Sequence, residues 1–474
     1  MADAVREIYS RRRYPALSHP ETHPGVIAAT ARCGGVVAPA LPEACRLLEI
    51  GCASGHNLLP LAARFPESRF VGIDFSDSAI RKGRQHAEAT GLANVTFEHA
   101  DVTEWRPEAE DFDYVVAHGM LSWVDDRVKA ALFELVQGSL APDGIACIGY
   151  NTLPGWSLRK EAAAMVRALP DLGADAMGVI GELAEAAAGG ATPYAAHLAA
   201  IYRDMQRKGP EIVAFDDLGP VCDPLHFGQV IEWAGQHGLR YLGESTLSGN
   251  LPPGVDPAAL ARLEPLAGDP LRFQQTLDLL SGRTHRSSLM CRSGLTLDPA
   301  TSSSVTLHFA ARLLVRPLPS KAIHGEIIEH FHAALHAAWP SAMPVAGLME
   351  ECAHRLGPRW DPARGAKTVA DWLYRAARFG WVELRTDAIE LDSRSPVRPA
   401  LSPLNRRFAK DRDSLVDVFH RSCGFPETHW GVVEALDGSR SADEIKALAR
   451  DQAPDLDVGP WLDHLAGRGL LWPG

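Results

Sequence analysis

The sequence has little that would carry it into or across a membrane. Within its 474 residues, glycine, proline or charge interrupts every apolar run well before the roughly 18 residues that a spanning helix needs. The amino-terminal residues, which include Asp3, Arg6 and Arg11–Arg13, lack the apolar stretch of a secretory signal. We therefore expect no membrane contact and a cytoplasmic location.

Paired cysteines are also missing. The eight cysteines are scattered and form no CxxC pair, which favours reduced thiols over disulfides or a cysteine zinc site. Three histidines, His330, His332 and His336, lie close together in a predicted helix, but their spacing supplies no third ligand on one face. We expect a solvated helix face there and no bound metal.

Positive charge is in deficit, with 47 lysines and arginines against 59 aspartates and glutamates and a net charge of -12 at pH 7. Such a chain repels phosphate backbones, so we expect no nucleic-acid partner. The hydrophobic content of 46% is that of a globular protein. At roughly 150 residues per domain, the length predicts about three domains.

Short strands alternate with helices in the first 155 residues. This order predicts parallel strands joined by right-handed crossovers, which is a doubly wound, Rossmann-like α/β sheet. Ligands of such sheets bind beyond the carboxyl ends of the strands. The predicted strands are Leu47–Gly51, Arg69–Asp74, Val95–Asp101, Phe112–His118 and Gly144–Tyr150, and the predicted helices are Asn57–Arg64, Ser78–Thr90 and Asp125–Leu140.

The sheet is predicted to resume after a helical insertion. An Ala-rich stretch without strand signals follows the first sheet segment, and two further strands are predicted at His237–Glu244 and Arg286–Arg292. We therefore assign residues 1–157 to the first part of the core, 158–225 to the helical insertion and 226–295 to the resumed core.

Two later segments share one plan. Trp372–Val382 aligns with Trp461–Leu471, and a short helix precedes each of them, at Val345–Leu356 and Ser441–Arg450. Helix, turn, helix and strand in this order predict two α+β, winged-helix-like modules, at residues 305–395 and 396–474. The last module is slightly acidic, which favours protein or peptide contact over DNA, and a purely stabilising role is equally open.

The turn after the first predicted strand is suited to a cofactor. Gly51 and Gly55 allow close approach of the backbone, and the following helix offers free N–H groups. Ala53 stands where a dinucleotide site would have its middle glycine, so NAD is disfavoured.

Three carboxylates, Glu49, Asp74 and Asp101, lie at successive strand ends. Singly, each would be read as a helix cap or a surface group. Together, behind a glycine turn, they indicate a nucleoside site in which Asp74 accepts hydrogen bonds from a ribose diol and Asp101 from an adenine amino group.

This combination resembles the cofactor site of class I S-adenosylmethionine-dependent methyltransferases. More specifically, the chain is similar over about its first 295 residues to bacterial methyltransferases that carry a methyltransferase regulatory domain, whose best-known members methylate lysines of outer-membrane proteins. The similar motifs are Thr22–Pro24, Gly51–Gly55, Phe70–Asp74, Ala117–Gly119, Ser122–Val124, Tyr150–Thr152, Pro154–Trp156, Gly238–Glu244 and Leu289–Arg292.

The resemblance and the strand ends together define candidate site residues. For binding S-adenosylmethionine we name Glu49, Gly51, Cys52, Ala53, Gly55, Asn57, Asp74, Phe75, Asp101, Val102 and His118. As catalytic candidates we name Asn151 and Tyr150, which could accept a hydrogen bond from an amine, and His118, as a base or a structural residue. For the methyl acceptor we name an amino-terminal arm or lid with Tyr9, Tyr14, His19 and His23, and the tryptophans Trp123 and Trp156, which either hold a cation or only pack the insertion.

We accordingly expect an S-adenosylmethionine-dependent methyltransferase that N-methylates lysine side chains of a protein or peptide. Two alternatives stay open: transfer to a peptide-derived natural product or small molecule, and a non-catalytic regulator that only binds the cofactor. A homodimer is also left open.

Overall fold

A seven-stranded sheet is the centre of the fold. The computed structural model describes residues 14–107, 111–169, 176–188, 192–208, 212–219, 221–251, 257–266, 268–298 and 303–472, so Tyr9 lies outside the described residues. The strands of this sheet are β1 Arg46–Ile50, β2 Arg69–Asp74, β3 Val95–His99, β4 Phe112–Ala117, β5 Leu140–Asn151, β6 Leu239–Glu244 and β7 His285–Arg292. Their spatial order is β3-β2-β1-β4-β5-β7-β6.

The first five strands are parallel, and the last two are antiparallel to their neighbours. Near-continuous apolar residues explain why the central strands are buried on both faces: Leu47 and Leu48 of β1 and Val115 of β4 are fully buried. The prediction of a Rossmann-like α/β sheet is confirmed. The predicted strand Val95–Asp101 is shorter in the structure, because β3 ends at His99 and Asp101 begins the following turn.

Helices cover both faces of this sheet and build the regions around it. In chain order they are α1 Pro24–Cys33, α2 Leu59–Arg64, α3 Asp77–Thr90, α4 Asp126–Ser139, α5 Ser157–Ala168, α6 Ala176–Ala188, α7 Pro193–Lys208, α8 Phe227–Gln236, α9 Pro257–Arg262, α10 Pro270–Ser281, α11 Glu326–Ala337, α12 Val345–Leu356, α13 Pro362–Arg378, α14 Pro403–Lys410, α15 Trp430–Glu434, α16 Ala442–Gln452 and α17 Val458–Gly467. Among the described residues, none of these helices combines the length and apolarity that crossing a bilayer requires.

Helices α5 to α7 form a small unit above the sheet. They share their own apolar cluster, which includes Ala162, Leu198, Tyr202 and Met205. A π-helical turn, Val213–Asp217, follows them and leads back toward β6. The position of this unit matters because it overhangs the carboxyl ends of the parallel strands.

The carboxy-terminal region contains two further small sheets. One has three antiparallel strands, β8 Ala310–Leu313, β9 Met343–Pro344 and β10 Val382–Arg385, in the order β10-β8-β9 beside helices α11 to α13. The other is a hairpin of β11 Leu415–Val416 and β12 Ser422–Cys423 beside α14 to α17. The second copy of the repeated plan ends in a single bridge, Leu401 to Leu471, rather than a strand, so the winged-helix assignment stays a prediction.

The last module shares a hydrophobic core with the large sheet. One continuous cluster of buried residues contains Phe70 and Phe97 of the sheet as well as Leu404, Phe408 and Trp430 of the carboxy-terminal helices. His56 also stacks on Phe408, with ring centroids 4.0 Å apart. The carboxy-terminal module is therefore packed directly against the elements that carry the glycine turn.

Candidate active site

A cavity of about 460 Å³ lies beyond the carboxyl ends of β1, β2, β4 and β5. This volume is within the usual range of small-molecule sites. It is lined by ten of the eleven residues expected to bind the cofactor, and the exception is Gly55. The remaining walls come from the amino-terminal segment and from the α5–α7 region, including Tyr14, His19, Arg159, Lys208 and Asp216.

The glycine turn after β1 brings the backbone up to the cavity. Gly51 has φ 78°, a left-handed conformation that a side chain disfavours, and its N–H donates to the carbonyl of Ile73 at 2.8 Å. Ala53 is also left-handed, with φ 46°, which is uncommon for a residue with a Cβ. Its N–H donates to Asp74 Oδ2 at 2.9 Å, so this unusual conformation ties the turn to the end of β2.

Asp74 and Asp101 are oriented by neighbouring N–H groups. Asp74 also accepts from the N–H of Ser76 at 2.8 Å, and Asp101 Oδ1 accepts from the N–H of Thr103 at 2.9 Å. Burial raises the pKa of Asp74, and the two N–H donors partly oppose that rise. Both carboxylates line the cavity with fixed geometry, as a ribose or adenine site requires.

Glu49 presents an unsatisfied oxygen to the cavity. Its side chain is buried, and Oε1 accepts from Asn57 Nδ2 at 2.9 Å, while Oε2 has no hydrogen-bond partner among the described residues. Burial, opposed by the Asn57 hydrogen bond and aided by the charge of Asp74, raises the pKa of Glu49 to about 8. An orphaned buried oxygen is an expensive feature unless a ligand satisfies it, and a cationic or hydroxyl donor of a cofactor fits this position.

On the other side of the cavity, His118 follows β4 and stands among ionisable groups. Its ring lies 3.8 Å from that of His19 and 5.1 Å from that of His285, measured between ring centroids. His118 Nε2 is 3.1 Å from Glu21 Oε1. Both ring nitrogens of His118 are buried; within the part of the chain that the structure describes, Nδ1 has no hydrogen-bond partner and Nε2 has only the Glu21 contact.

The charges in this group are set by burial and by the neighbours. Burial opposes ionisation of Glu21, but the hydrogen bond and charge of His118 and the charge of His19 lower its pKa well below the ordinary value. Burial and the nearby His118 lower the pKa of His19, and they lower that of His285 to about 4. Near neutral pH the group therefore holds an ionised carboxylate among imidazoles, of which His19 and His285 are neutral.

Asn151, Tyr14 and Trp123 also face the cavity. Asn151 is buried, and its Nδ2 lacks a hydrogen-bond partner among the described residues. The Tyr14 hydroxyl donates to Asp216 Oδ1 at 3.4 Å, and Trp123 Nε1 donates to the carbonyl of Asp216 at 3.4 Å. The overhanging π-helical turn therefore closes this end of the cavity through Asp216, whose pKa burial raises to about 6.

The face of Trp156 is occupied by cations of the protein itself. Arg159 Cζ lies 5.1 Å and Lys208 Nζ 5.6 Å from the centroid of the Trp156 ring. Arg159 in turn forms ion pairs with Asp204 and Asp217. Trp156 also lines the cavity, so its role toward a cationic acceptor stays a prediction.

Three candidate residues, Tyr150, His23 and Gly55, do not line the cavity. Tyr150 points to the opposite face of β5 from Asn151, because neighbouring residues in a strand alternate, and its hydroxyl lies 3.2 Å from Ser288 Oγ. His23 caps α1, where its Nδ1 accepts from the N–H of Gly25 at 3.0 Å, and it does not line the cavity. Gly55 packs under Phe97: a Cβ on Gly55 would lie 2.3 Å from Phe97 Cζ.

Asn57 lines the cavity, but its amide is fully engaged by the protein. Its Oδ1 accepts from the N–H of His19 at 2.9 Å and from Thr22 Oγ1 at 3.2 Å, and it lies 2.7 Å from His420 Nε2. Its Nδ2 donates to Glu49 and to Thr22. Asn57 therefore orients Glu49.

Sequence reasoning missed Glu21, His285 and His420. Glu21 directly precedes the Thr22–Pro24 motif, which was the only signal for it. His285 reaches the site because β7 pairs antiparallel with β5 and places it opposite Asn151. His420 comes from a distant module, and no local pattern marks it.

Comparison with known proteins agrees with this geometry. Residues 47–144 match the methyltransferase domain family, and residues 210–292 match the family described as a predicted methyltransferase regulatory domain. The regulatory match thus falls mainly on α8, β6, α10 and β7.

Several individual proteins are similar to parts or all of the chain. The uncharacterized protein RP789 of Rickettsia prowazekii is 29% identical over 301 residues, which are 61% of this chain and 53% of that protein. The chain therefore spans about half the length of this curated relative. Trans-aconitate 2-methyltransferase of Variovorax paradoxus is 33% identical over 108 residues, covering 23% of this chain and 39% of that enzyme.

The fold as a whole has a solved counterpart. The structure of PKMT2 from Rickettsia typhi matches with a TM-score of 0.83 and 21% identity, over 97% of this chain and 99% of that one. A second structure of PKMT2, in complex with AdoHcy, matches with a TM-score of 0.82. The chain therefore contains a class I S-adenosylmethionine-dependent methyltransferase domain joined to a methyltransferase regulatory domain.

Proposed function

We propose that the protein transfers a methyl group from S-adenosylmethionine to the side-chain nitrogen of lysine residues in a protein or peptide. The observation that carries this proposal is the division of one cavity into two halves: oriented carboxylates behind a glycine turn on one side, and His118, which contacts Glu21 behind it, on the other. The cytoplasmic location and the lack of a nucleic-acid partner stay predictions from composition.

The cofactor half suits S-adenosylmethionine. Asp74 and Asp101 offer fixed acceptors for hydroxyl and amino donors, and Glu49 Oε2 offers a buried oxygen to a cationic one. When bound, the cofactor supplies an electrophilic methyl group on a positively charged sulfur. The protein's part is to hold this group and exclude water, since in-line methyl transfer depends mainly on positioning.

The acceptor half suits a lysine amine. Lysine has a reference pKa near 10.4, so its nitrogen must lose a proton before it can attack. With the His118 proton on Nε2 facing Glu21, Nδ1 is left as a lone pair that can take the lysine proton, and the ionised Glu21 stabilises the resulting imidazolium. The deprotonated amine would then accept the methyl group that the cofactor, held by Asp74, Asp101 and Glu49, would supply, and the electron pair of the broken carbon–sulfur bond would stay on sulfur.

The charge around the acceptor end favours a cationic substrate. Arg159 and Lys208 are neutralised by Asp204 and Asp217, which leaves Asp216 as an acidic group beside Tyr14 and Trp123. An ammonium group is attracted by both carboxylates and aromatic faces. The fold shared with PKMT2, a bacterial protein lysine methyltransferase, further supports a protein substrate.

The proposal is tested by incubating the full-length protein with methyl-labelled S-adenosylmethionine and unfolded lysine-rich bacterial proteins, followed by mass spectrometry of the peptides. We expect methyl groups on lysine with the wild type and none with Asp74→Asn. Label found only in acid-soluble small molecules would instead support the small-molecule alternative. Cofactor binding without any transfer would support the non-catalytic regulator.

The role of the pair is tested with Glu21→Gln. We expect kcat at pH 7 to fall by about 100-fold, within the usual contribution of acid–base catalysis, while affinity for S-adenosylmethionine is unchanged. The deficit should shrink as the pH approaches 10, because the lysine amine then deprotonates without help. Glu67→Gln, at an exposed position, is the matched control. A deficit that is constant from pH 7 to 10 would mean that Glu21 serves only the structure.

A further inference from the structure

The hairpin of the last module reaches the methyltransferase site. We call residues Leu415–Cys423 the C-terminal hairpin; it comprises β11, a tight turn and β12. Asp417 organises the turn, since its Oδ1 accepts from the N–H groups of Phe419 at 3.0 Å and Arg421 at 2.9 Å. Nε of Arg468, which follows helix α17 of the same module, donates to the other oxygen of Asp417, Oδ2, at 2.9 Å. The turn is thus braced from both sides.

This turn holds His420 in an uncommon conformation. His420 has φ 64°, in the left-handed region that residues with a Cβ rarely adopt, and it is 2% exposed. Such a conformation persists when the surroundings over-determine it, and it often marks a functional position. Burial and the charge of Arg385 lower the pKa of His420 to about 3, so its ring is neutral and can donate a single hydrogen bond.

That hydrogen bond goes to the residue that orients Glu49. His420 Nε2 lies 2.7 Å from Asn57 Oδ1, and Asn57 Nδ2 donates to Glu49 Oε1 at 2.9 Å. An amide can hydrogen-bond to a carboxylate only when its nitrogen faces it. The His420 ring makes the shortest of the contacts at the oxygen end of Asn57 and, together with the His19 N–H, fixes the amide in the orientation that serves Glu49.

The same hairpin also holds the acceptor side. Ser18 donates its N–H to Ser422 Oγ at 2.7 Å and its hydroxyl to the carbonyl of His420 at 3.1 Å. The next residue, His19, stacks on His118 and donates its own N–H to Asn57. One turn of the last module therefore contacts the supports of both halves of the cavity without lining the cavity itself.

We propose that His420 is a positioning residue for S-adenosylmethionine binding, through which the C-terminal hairpin completes the cofactor site. The proposal rests on the proposed function, because it concerns the same site. It assigns the last module a part in binding the cofactor. Simple packing would account for the shared hydrophobic core, but it does not require a buried left-handed histidine aimed at one amide.

Calorimetric titration of the full-length protein with S-adenosylmethionine tests the assignment. His420→Asn keeps a residue type that tolerates the left-handed conformation but is too short to reach Asn57, so we expect the Kd to rise about two- to ten-fold, the effect of one lost hydrogen bond. His420→Gln restores a donor at similar reach and should bind within about two-fold of wild type. His464→Asn, exposed in the same module, is the matched control.

The pH dependence of cofactor binding distinguishes a positioning role of His420 from a nonspecific destabilisation of the site. Cofactor affinity should rise as Glu49 ionises, with Asp74 the charged group facing it. Loss of the His420 contact holds the Asn57 amide less firmly and weakens its donation to Glu49, so the midpoint of that rise should move to higher pH in His420→Asn. A weaker affinity with an unmoved midpoint, or a His420→Gln variant as weak as His420→Asn, would overturn the proposal.

Hydrogen exchange of the unmodified protein provides a test that needs no variant. Coupling between two sites is reciprocal, so cofactor binding should protect the amides of the C-terminal hairpin as well as those of the glycine turn. Protection of the turn alone would overturn the proposal and leave the proposed function standing. Absence of any cofactor binding by the wild type would instead count against the proposed function itself.

Discussion

Replacing Glu49 with glutamine should make the protein more stable at alkaline pH while weakening its hold on the cofactor. Glu49 is buried with one oxygen unsatisfied, and burial raises its pKa from 4.5 to about 8. Ionising it therefore opposes folding, and only a bound cationic or hydroxyl donor compensates. Binding-site residues commonly trade stability for function in this way.

The sign and size of this change in the free energy of unfolding follow from proton linkage. Since the folded protein holds the Glu49 proton more tightly than the unfolded chain, the free energy of unfolding falls as the pH rises from about 4.5 to about 8 and then levels off. At about 1.36 kcal/mol for each pH unit, that interval corresponds to roughly 5 kcal/mol. Glutamine has the same shape and no charge, so Glu49→Gln should gain up to about this amount at pH 9 and almost nothing at pH 5.

Urea unfolding at pH 5 and pH 9 measures the stability. Calorimetry at pH 8 measures the affinity for the cofactor, which should fall at least about ten-fold in Glu49→Gln because a charge-assisted hydrogen bond is lost. Glu43→Gln, at an exposed position just before β1, is the matched control and should change neither quantity. The reasoning is refuted if Glu49→Gln is no more stable than wild type at pH 9, or if it binds the cofactor equally well.

Two further substitutions test the elements that build the cofactor half, one by cofactor affinity and the other by stability. Asp74→Ala removes the acceptor that fixes the turn and is expected to lower affinity for S-adenosylmethionine at least about 100-fold by calorimetry, whereas Asp77→Ala, exposed at the start of α3, should change it less than about two-fold. Gly55→Ala should lower the free energy of unfolding by about 3 kcal/mol in urea, because it adds a clash with Phe97 to the strain of a left-handed alanine. Gly91 is also left-handed but has open space around it, so Gly91→Ala should lower that free energy by only about 1 kcal/mol.

The cofactor half could be predicted because it is local in sequence. Glu49, Asp74 and Asp101 lie within or shortly after the first three predicted strands, and parallel strands bring their carboxyl ends to one edge. Composition and periodicity therefore suffice to place them near one another. The sequence does not predict which of two neighbouring side chains faces the cavity. Tyr150 and Asn151 are adjacent, and the pleat of β5 decides that Asn151 faces the cavity and Tyr150 faces Ser288.

The acceptor half could be predicted only in part, because some of its residues reach the site through long-range pairing. His285 depends on the register of an antiparallel strand that returns after an insertion, and Glu21 precedes the first strand altogether. Neither residue lies in a periodic pattern that would mark it. Trp156 was visible as an aromatic residue near a strand end, but the occupation of its ring by Arg159 and Lys208 follows from the fold of the insertion.

The two halves differ in the lengths of chain that build them, and this difference has a functional consequence. The cofactor carboxylates belong to one continuous stretch from β1 to the turn after β3, whereas the acceptor half combines the amino-terminal segment, the end of β4, the α5–α7 region and β7. Substitutions in the α5–α7 region can therefore change which acceptor fits without moving Asp74 or Asp101. Changes near Asn57 have no such freedom, because its amide contacts Glu49, His19 and His420 at once and so couples both halves to the last module.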